Sequence, residues 1–400
     1  MTRTVFRGGS VFDGTGADPQ PADVAVEDGR IVDVGSGLDG DEAVDLAGRT
    51  LLPGLFDCHV HVMFSHVDAW RSANTPFSYR FYEAAANLRA TLRTGITSVR
   101  DAGGADLGIK QALTDRLVEG PRIQLSLTML SQTGGHGDEW LVSGVRVPFF
   151  PEHPGVPSAI VDGPDEMRRK VRQLHQMGAD VVKVATSGGV LSPRDDPRHA
   201  HFRPAELDVL VEEATVAGMF VMAHAQGADG IKNAVRAGIR SVEHGIFLDD
   251  EGIALMLERG TWLVPTLVAP QGVIDAAAAG VTFSPGVIEK ATAVVETHRE
   301  AVRRAAAAGV RIAMGTDSGV TPHGRNLREL ALMAGLGMPP GAVLEATTRS
   351  AARLLGVDRD LGTIEPGKLA DLVVVDGDAY AFDTLGERIE GVWLEGRRAV

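Results

Sequence analysis

Eight short apolar runs recur along the chain, each separated from the next by a longer stretch with helical periodicity, and few folds accommodate that rhythm. The runs are Leu51–Asp57, Thr97–Asp101, Arg122–Thr128, Asp180–Thr186, Met219–His224, Arg240–His244, Thr261–Thr266 and Arg311–Asp317. Helices are predicted between them, for example over Pro164–Met177, with Asp165 and Glu166 in its first turn, and over Pro204–Ala217. Met177-Gly178, Ala217-Gly218, Ala237-Gly238 and Ala308-Gly309 each end a helical stretch just before the next run. Glycine after the last turn is a common helix stop. Apolar strands alternating with helices make βα units around a parallel sheet. Eight such units predict an α/β chain folded as a (β/α)8 TIM barrel.

The termini have a different texture. Residues 1 to about 50 alternate β-branched and polar residues with Asp-Gly at a turn, the pattern of hairpins. Strand texture returns after about 362, in Asp371–Asp376 and Gly391–Gly396. Residues 1–50 and 362–400 are therefore expected to pair into a small β-sandwich domain beside a hydrolase-sized barrel over 51–361. The segment 129–163, rich in Gly, Pro and aromatic residues, interrupts the rhythm after the third run. A loop of that length is commonly functional, and its position places it over the barrel mouth.

Composition narrows the partners. With 39 Lys+Arg against 53 Asp+Glu the net charge is −14, which disfavours an extended nucleic-acid surface and leaves a small-molecule substrate open. The single cysteine, Cys58, excludes an intramolecular disulfide and fits a reducing cytoplasm. The first residues lack the apolar core of a signal peptide. No apolar run approaches the ~18–20 residues of a membrane-spanning helix. Association into a homo-oligomer is left open.

Chemistry concentrates where the predicted strands end, the rim on which barrel enzymes build their sites. The first run ends at His59 and His61, whose i, i+2 spacing puts both imidazoles on one face. The fifth ends at His224, the sixth at His244 and the eighth at Asp317, while Lys183 lies within the fourth. Imidazole and carboxylate suit divalent metals, zinc by default. A lysine can join them only if it loses its proton. Flanking Val182 and Val184 disfavour the ammonium, and a neutral amine adds carbon dioxide to become a carbamate, N6-carboxylysine, able to bridge two cations. Unmodified, Lys183 would instead be a salt-bridged structural lysine. With the carbamate in place, His59, His61 and Asp317 would hold one ion, and His224 and His244 the other. Two ions ~3.5–4 Å apart would acidify a shared water. Asp317 could take its proton and return it to a leaving nitrogen. That chemistry is amide hydrolysis through a metal-bridged hydroxide.

The set His59-x-His61, Lys183, His224, His244 and Asp317 resembles the amidohydrolase superfamily, in its binuclear subtype with a carboxylated lysine. Supporting stretches are Pro53–His61, Thr133–Gly137, Glu243–Gly245, Gly315–Asp317, Pro322–Asn326 and Gly362–Leu372. Within that group the chain is similar to bacterial Xaa-Pro dipeptidase (prolidase)-like and imidazolonepropionase-like enzymes. The resemblance implies a hydrolase for a dipeptide or an N-acyl amino acid, with two metal ions and carbon dioxide for the lysine. It also implies that His136 contacts the substrate carbonyl or carboxylate. Gln226 stands where many relatives carry a substrate-contacting tyrosine. His323 and Arg325 follow the eighth run, where Arg325 could hold a substrate carboxylate or pair structurally. His66, His153, His175, His199, His201 and His298 are expected at the surface. Phe77, Tyr79, Phe81, Tyr82 and Trp140 are candidates for an apolar pocket or for the core. A lactone, carbamate or ester hydrolase, a deaminase, and a non-catalytic metal-binding barrel are the alternatives.

Overall fold

The structure, a computed structural model, describes residues 2–192 and 195–400, and its fold is mixed α/β. Eight strand positions follow in chain order: Leu55–Val60, Ile96–Asp101, Arg122–Leu125 with its continuation Met129–Leu130, Val181–Ala185, Phe220–Ala225, Ser241–His244, Trp262–Val264 and Arg311–Ile312. The first three pair with one another and the remainder pair successively from Met129–Leu130 onward, every pair parallel. Main-chain bonds link the eighth run back to the first. Cys58 N–H donates to Met314 O at 2.9 Å, Asp317 N–H to His59 O at 2.7 Å, and His61 N–H to Ser318 O at 2.7 Å.

The helices between these strands bury one stripe each. In Pro164–Gln176 the buried residues are Met167, Val171 and Leu174, the 3.6-residue spacing of a core-facing stripe. They join Val182 and Val184, which point outward from the fourth strand into the same core. Lys183, between them, faces the other way and is 1% exposed. The alternation of a strand thus places an amine where the valines cannot reach.

Both termini enter one eight-stranded sheet. Its order is Arg397–Arg398, Ile389–Leu394, Leu372–Asp376, Arg49–Pro53, Thr4–Val11, Gln20–Glu27 and Arg30–Gly35, with Glu42–Asp45 on the other side of Thr4–Val11. Phe6 and Trp393, from opposite ends of the chain, meet edge to face at 5.1 Å in its core. The run predicted as one strand over Leu51–Asp57 is in fact two. Leu51, Leu52 and Pro53 pair antiparallel with Val374, Val373 and Leu372 of the terminal sheet. At Gly54 the chain changes partners: Gly54 N–H donates to Asp371 O, and Leu55 N–H to Gly95 O beside the second parallel strand. Among the described residues no helix is long and apolar enough to cross a membrane.

Where the eighth run passes the first, the backbones come close. A Cβ on Gly315 would lie 2.4 Å from Val264 Cγ1, 3.0 Å from His59 Cβ and 3.1 Å from His59 N. Val264 can rotate, but the His59 backbone is fixed by its own bonds. Gly315→Ala is therefore expected to destabilise the fold by about 1–3 kcal/mol, the usual penalty for overpacking a filled interior. Urea unfolding measures this, and a midpoint equal to wild type would show that the two strands can part.

Candidate metal centre and active site

The residues named from the strand ends converge on one cavity. His59, His61, Lys183, His224, His244 and Asp317 all line it, and each is buried. His59 and His61 rings lie 5.5 Å apart at 71°, so they share a face without being coplanar. His59 and His244 centroids are 5.1 Å apart, and His224 and His244 4.7 Å. Potential ligand atoms of His59, His244 and Asp317 lie within 4.8 Å of one another.

Each imidazole is fixed through one nitrogen. His59 Nδ1–H donates to Glu243 Oε2 at 2.8 Å, and His61 Nδ1–H to Gly103 O at 3.0 Å. His244 Nδ1 is bonded to Thr266 Oγ1 at 2.7 Å, and His224 Nε2–H donates to Gly188 O at 3.1 Å. In the neutral ring, a donating nitrogen leaves the other with its lone pair, as at His59, His61 and His224, where His59 Nε2 faces Lys183 Nζ. Burial holds His59, His224 and His244 well below the usual imidazole range, so these three are neutral.

Asp317 supplies the anion. Its Oδ1 is buried without a hydrogen bond, 3.2 Å from His61 Nε2 and 3.5 Å from His59 Nε2. Burial would raise this carboxyl, but His59, His61 and Lys183 outweigh it and keep it ionised. Lys183 Nζ stands 3.4 Å from His59 Nε2. No carboxylate among the described residues lies within 4.0 Å of it, which removes the salt-bridged alternative. Burial pushes its pKa down to about 8, so an appreciable neutral fraction exists near neutrality. Imidazoles, one bare carboxylate oxygen and an amine with no carboxylate partner are a donor set that fits divalent cations.

Several of these positions require unusual backbone. His244 (φ 71°), Thr266 (φ 51°) and Asp317 (φ 60°) all occupy the left-handed region, sparsely populated by non-glycine residues. Strict alternation would aim Glu243 and His244 at opposite sides. The turn at His244 lets both face the centre, Glu243 onto His59 and His244 into the cavity.

His136 reaches the same cavity from the 129–163 segment. Its ring stacks on His224 at 4.1 Å, and its Nδ1 is hydrogen-bonded to Ser192 Oγ at 2.8 Å. Ser192 in turn donates to Asp195, whose Oδ2 is 3.6 Å from His136 Nδ1. Lys290 ties this loop down, donating to Gly189 O, Ser192 O and Asp195 O at 3.1, 2.7 and 2.7 Å. Any side chain at Gly189 would strike His136, since a Cβ there lies 2.1 Å from His136 Cε1. Gln226 also lines the cavity, and its Oε1 is buried without a partner.

Other predicted site residues lie elsewhere. His323 Nε2–H is shared between His61 O and Phe64 O, both at 3.1 Å, while its Nδ1 faces Thr91 Oγ1 at 3.3 Å. It braces the loop after the first strand rather than meeting the cavity. Arg325 sits in a separate surface depression with Thr94, Arg328 and Phe382. The chain still lines the cavity at Val320, but His323 and Arg325, beyond it, do not. The aromatic wall consists of Phe64, Phe149 and Phe150, and none of the five aromatics offered for pocket or core lines it. Phe64 and Phe150 stack at 5.2 Å and 3°. Tyr79, Tyr82 and Trp140 are exposed, and Phe77 and Phe81 pack against His153. His201 and His298, expected at the surface, are buried. His298 Nε2–H donates to His244 O at 2.9 Å, supporting the strained turn there.

Glu243 and Arg100 carried no role in the sequence. Glu243 Oε1 accepts from Arg100 Nη2–H at 2.9 Å and from Ser241 Oγ at 2.5 Å. The adjacent His244 was the available signal, but alternation argued against a shared face.

Comparison with known proteins places this geometry in context. Residues 50–399 match the model of the amidohydrolase family. Ochratoxinase of Aspergillus niger is 33% identical over 400 residues, covering 93% of this chain and 81% of that protein. The crystal structure of a Xaa-Pro dipeptidase with bound methionine in the active site superposes with a TM-score of 0.91 at 33% identity, covering 99% of each chain. A prolidase complexed with N-methylphosphonate-L-proline gives 0.90 at 34% identity, again over 99% of each.

Removing the Glu243 charge should loosen His59. Glu243→Gln keeps an acceptor but leaves Arg100 unpaired, at a cost of about 3–5 kcal/mol in stability. Metal affinity is expected to fall about 10–100-fold. Competition with a chromogenic chelator and urea unfolding read the two effects separately, and unchanged metal affinity would mean that His59 needs no such brace.

Proposed function

The chain belongs to the amidohydrolase family and is a hydrolase. From that premise we propose that it cleaves the amide bond of an N-acyl amino acid or a dipeptide. It uses two divalent ions, zinc by default, held by His59, His61, Asp317, His224, His244 and a carboxylated Lys183. The observation that carries this reading is the buried Oδ1 of Asp317, without a hydrogen bond and surrounded by fixed imidazoles and by the Lys183 amine, which meets His59 and, among the described residues, no carboxylate within 4.0 Å. A structural carboxylate in that position would have claimed a hydrogen-bond donor.

When bound, the ions supply Lewis acidity toward water and toward an acyl carbonyl. The protein's own groups do the rest. Asp317, ionised, accepts the proton of the attacking water and delivers it to the departing nitrogen. His136, anchored through Ser192 and Asp195, and Gln226, with its unspent polar group, bind and orient the acyl substrate. Two of the structural neighbours described above are complexes, one with methionine bound in the active site and one with N-methylphosphonate-L-proline, which supports an amino-acid-like leaving group. The same reading takes the eight parallel strands as a closed (β/α)8 TIM barrel over 51–361. Segments 1–50 and 362–400 form a small β-sandwich, with Leu51–Pro53 joining its sheet. It further takes the partner as a small molecule rather than nucleic acid or membrane, and the compartment as the cytoplasm, where the buried free Cys58 stays reduced.

Elemental analysis of protein purified without chelator, with a hydrolysis panel of N-acyl amino acids, dipeptides and matched esters, tests the proposal. Two ions per chain and amide turnover are expected, and turnover of esters alone would replace the amide reading. Lys183→Ala should lose metal and activity together; full occupancy in that variant would end the bridging role. Asp317→Asn should lower kcat by at least about 10²-fold, as expected for loss of a general acid–base group, and unchanged kcat would contradict it. His136→Ala should keep its metal and lose kcat/KM, whereas loss of metal would make His136 a ligand.

A further inference from the structure

Arg80 is the second residue of the helix Tyr79–Leu92, and its side chain joins the wall of the catalytic cavity beside Ser72 and His66. It is the sole arginine among the described residues that line this space, and Asp317, committed to the centre, is the sole carboxylate. A guanidinium carries five N–H donors and stays charged. Here one bond is made, from Nη2 to Ser72 O at 3.3 Å. No carboxylate among the described residues comes within 4.0 Å; Glu83 and Glu139 act on Arg80 only from farther away, while burial works against its charge.

The contrast with the other interior cation is direct. Arg100 spends its donors on Cys58 O, Ser241 Oγ and Glu243 at 2.7, 3.2 and 2.9 Å. A half-buried guanidinium that makes one protein hydrogen bond and faces a cavity keeps most of its donors for solvent or for an anion that arrives there. The planar fork of arginine matches a carboxylate in bidentate fashion. Beside it stand Phe64, Phe149 and Phe150, and farther round Val190, Val273 and Val320, which offer apolar contact and no hydrogen bonds.

We infer that Arg80 binds the free carboxylate of the substrate, so that the substrate class is an N-acylated α-amino acid with a hydrophobic side chain. This rests on the proposed amide hydrolysis for the identity of the scissile bond, but the carboxylate site can be tested without turnover. It takes over the role that the sequence suggested for Arg325, which lies outside the cavity.

The probes are N-benzenesulfonyl derivatives of phenylalanine, leucine and methionine, each as the free acid and as the carboxamide, because the sulfonamide bond resists hydrolysis. Calorimetric titration of the metal-loaded wild type, Arg80→Met and Arg80→Lys gives the acid-to-carboxamide affinity ratio. Wild type should favour the acids by about 10–100-fold, the range for a hydrogen-bonded charge pair. Arg80→Met should bring the ratio close to one, and Arg80→Lys, which keeps the charge and loses the fork, should fall between. Equal binding of acid and carboxamide by wild type overturns the inference, as does an Arg80→Met protein that keeps the wild-type ratio. Should Arg80→Met fail to fold, Arg80→Lys decides, since a ratio equal to wild type there would show that no fork is engaged. Hydrolysis of the corresponding N-acyl compounds is a separate readout. A missing turnover alongside an intact acid preference would count against amide hydrolysis and leave the carboxylate site standing.

Discussion

The centre depends on one buried carboxylate that never touches the cavity. Glu243 has no exposure, accepts from Arg100 and Ser241 through one oxygen, and holds His59 through the other. Arg100 also donates to Cys58 O, so a single charged group ties together the first, second and sixth strands. Such a pair is expensive to bury and more expensive to break, because either partner left alone is an unpaired charge in a dry interior. The benefit is positional. A histidine on a strand has a rotatable ring, and a carboxylate on its far nitrogen fixes both its orientation and its tautomer.

The same logic explains why strained backbone survives at the strand ends. Left-handed conformations at His244, Thr266 and Asp317 cost of the order of 1–3 kcal/mol each. Each is over-determined by neighbours. Thr266 Oγ1 meets His244 Nδ1, and His298 holds the His244 carbonyl. After Thr266, the N–H groups of Leu267 and Val268 donate to the two oxygens of buried Glu329 at 2.8 and 2.9 Å. Before Asp317, the Asp57 carboxylate accepts from His59 N–H, Thr316 N–H, Thr316 Oγ1 and Asn326 Nδ2. Asp57 thus fastens the first strand to the eighth just below the two histidines. Polar residues that read as incidental loop chemistry are the scaffold of the candidate metal ligands.

What could be read from the sequence follows from this division. The metal-ligand candidates were legible because strands are periodic and their ends are marked by apolar runs that stop. His59, His61, His224, His244 and Asp317 needed only that rule to be placed on one rim, and Lys183, within its run, needed its own argument from its valine neighbours. Glu243 was invisible because the rule itself misled. Alternation sends it away from His244, and only the left-handed turn reconciles the two. Leu51–Asp57 read as one strand because its apolar run continues on both sides of Pro53-Gly54, the one local mark of a break; the change of partner itself is made by hydrogen bonds to Asp371 and Gly95, far away in sequence. Arg80 opens the helix Tyr79–Leu92, off its buried stripe of Ala84, Leu88 and Thr91, and Phe149 and Phe150 sit on a segment without periodicity, so their convergence is set by the fold alone. His323 and Arg325 were misplaced for the complementary reason, since proximity to Asp317 in sequence says little once the chain has turned.

The electrostatic layout of the cavity gives the loops a definite task. Burial keeps the floor imidazoles neutral, and the one ionised carboxylate there faces them, so the floor can stabilise charge that develops during reaction without fixing an anionic substrate by itself. The wall supplies the opposite element, a guanidinium whose donors are mostly unspent, set in an apolar surround that strengthens any charge pair it makes. Strand ends carry the candidate ligands, while the start of the helix Tyr79–Leu92 and the segment around Phe149 carry the wall. Because Arg80 and Phe149 come from two different segments that flank the mouth, either can be exchanged without disturbing Glu243, Arg100 or the strained turns. One reaction centre can therefore serve different substrates through changes confined to residues that carry none of the fold's buried charge.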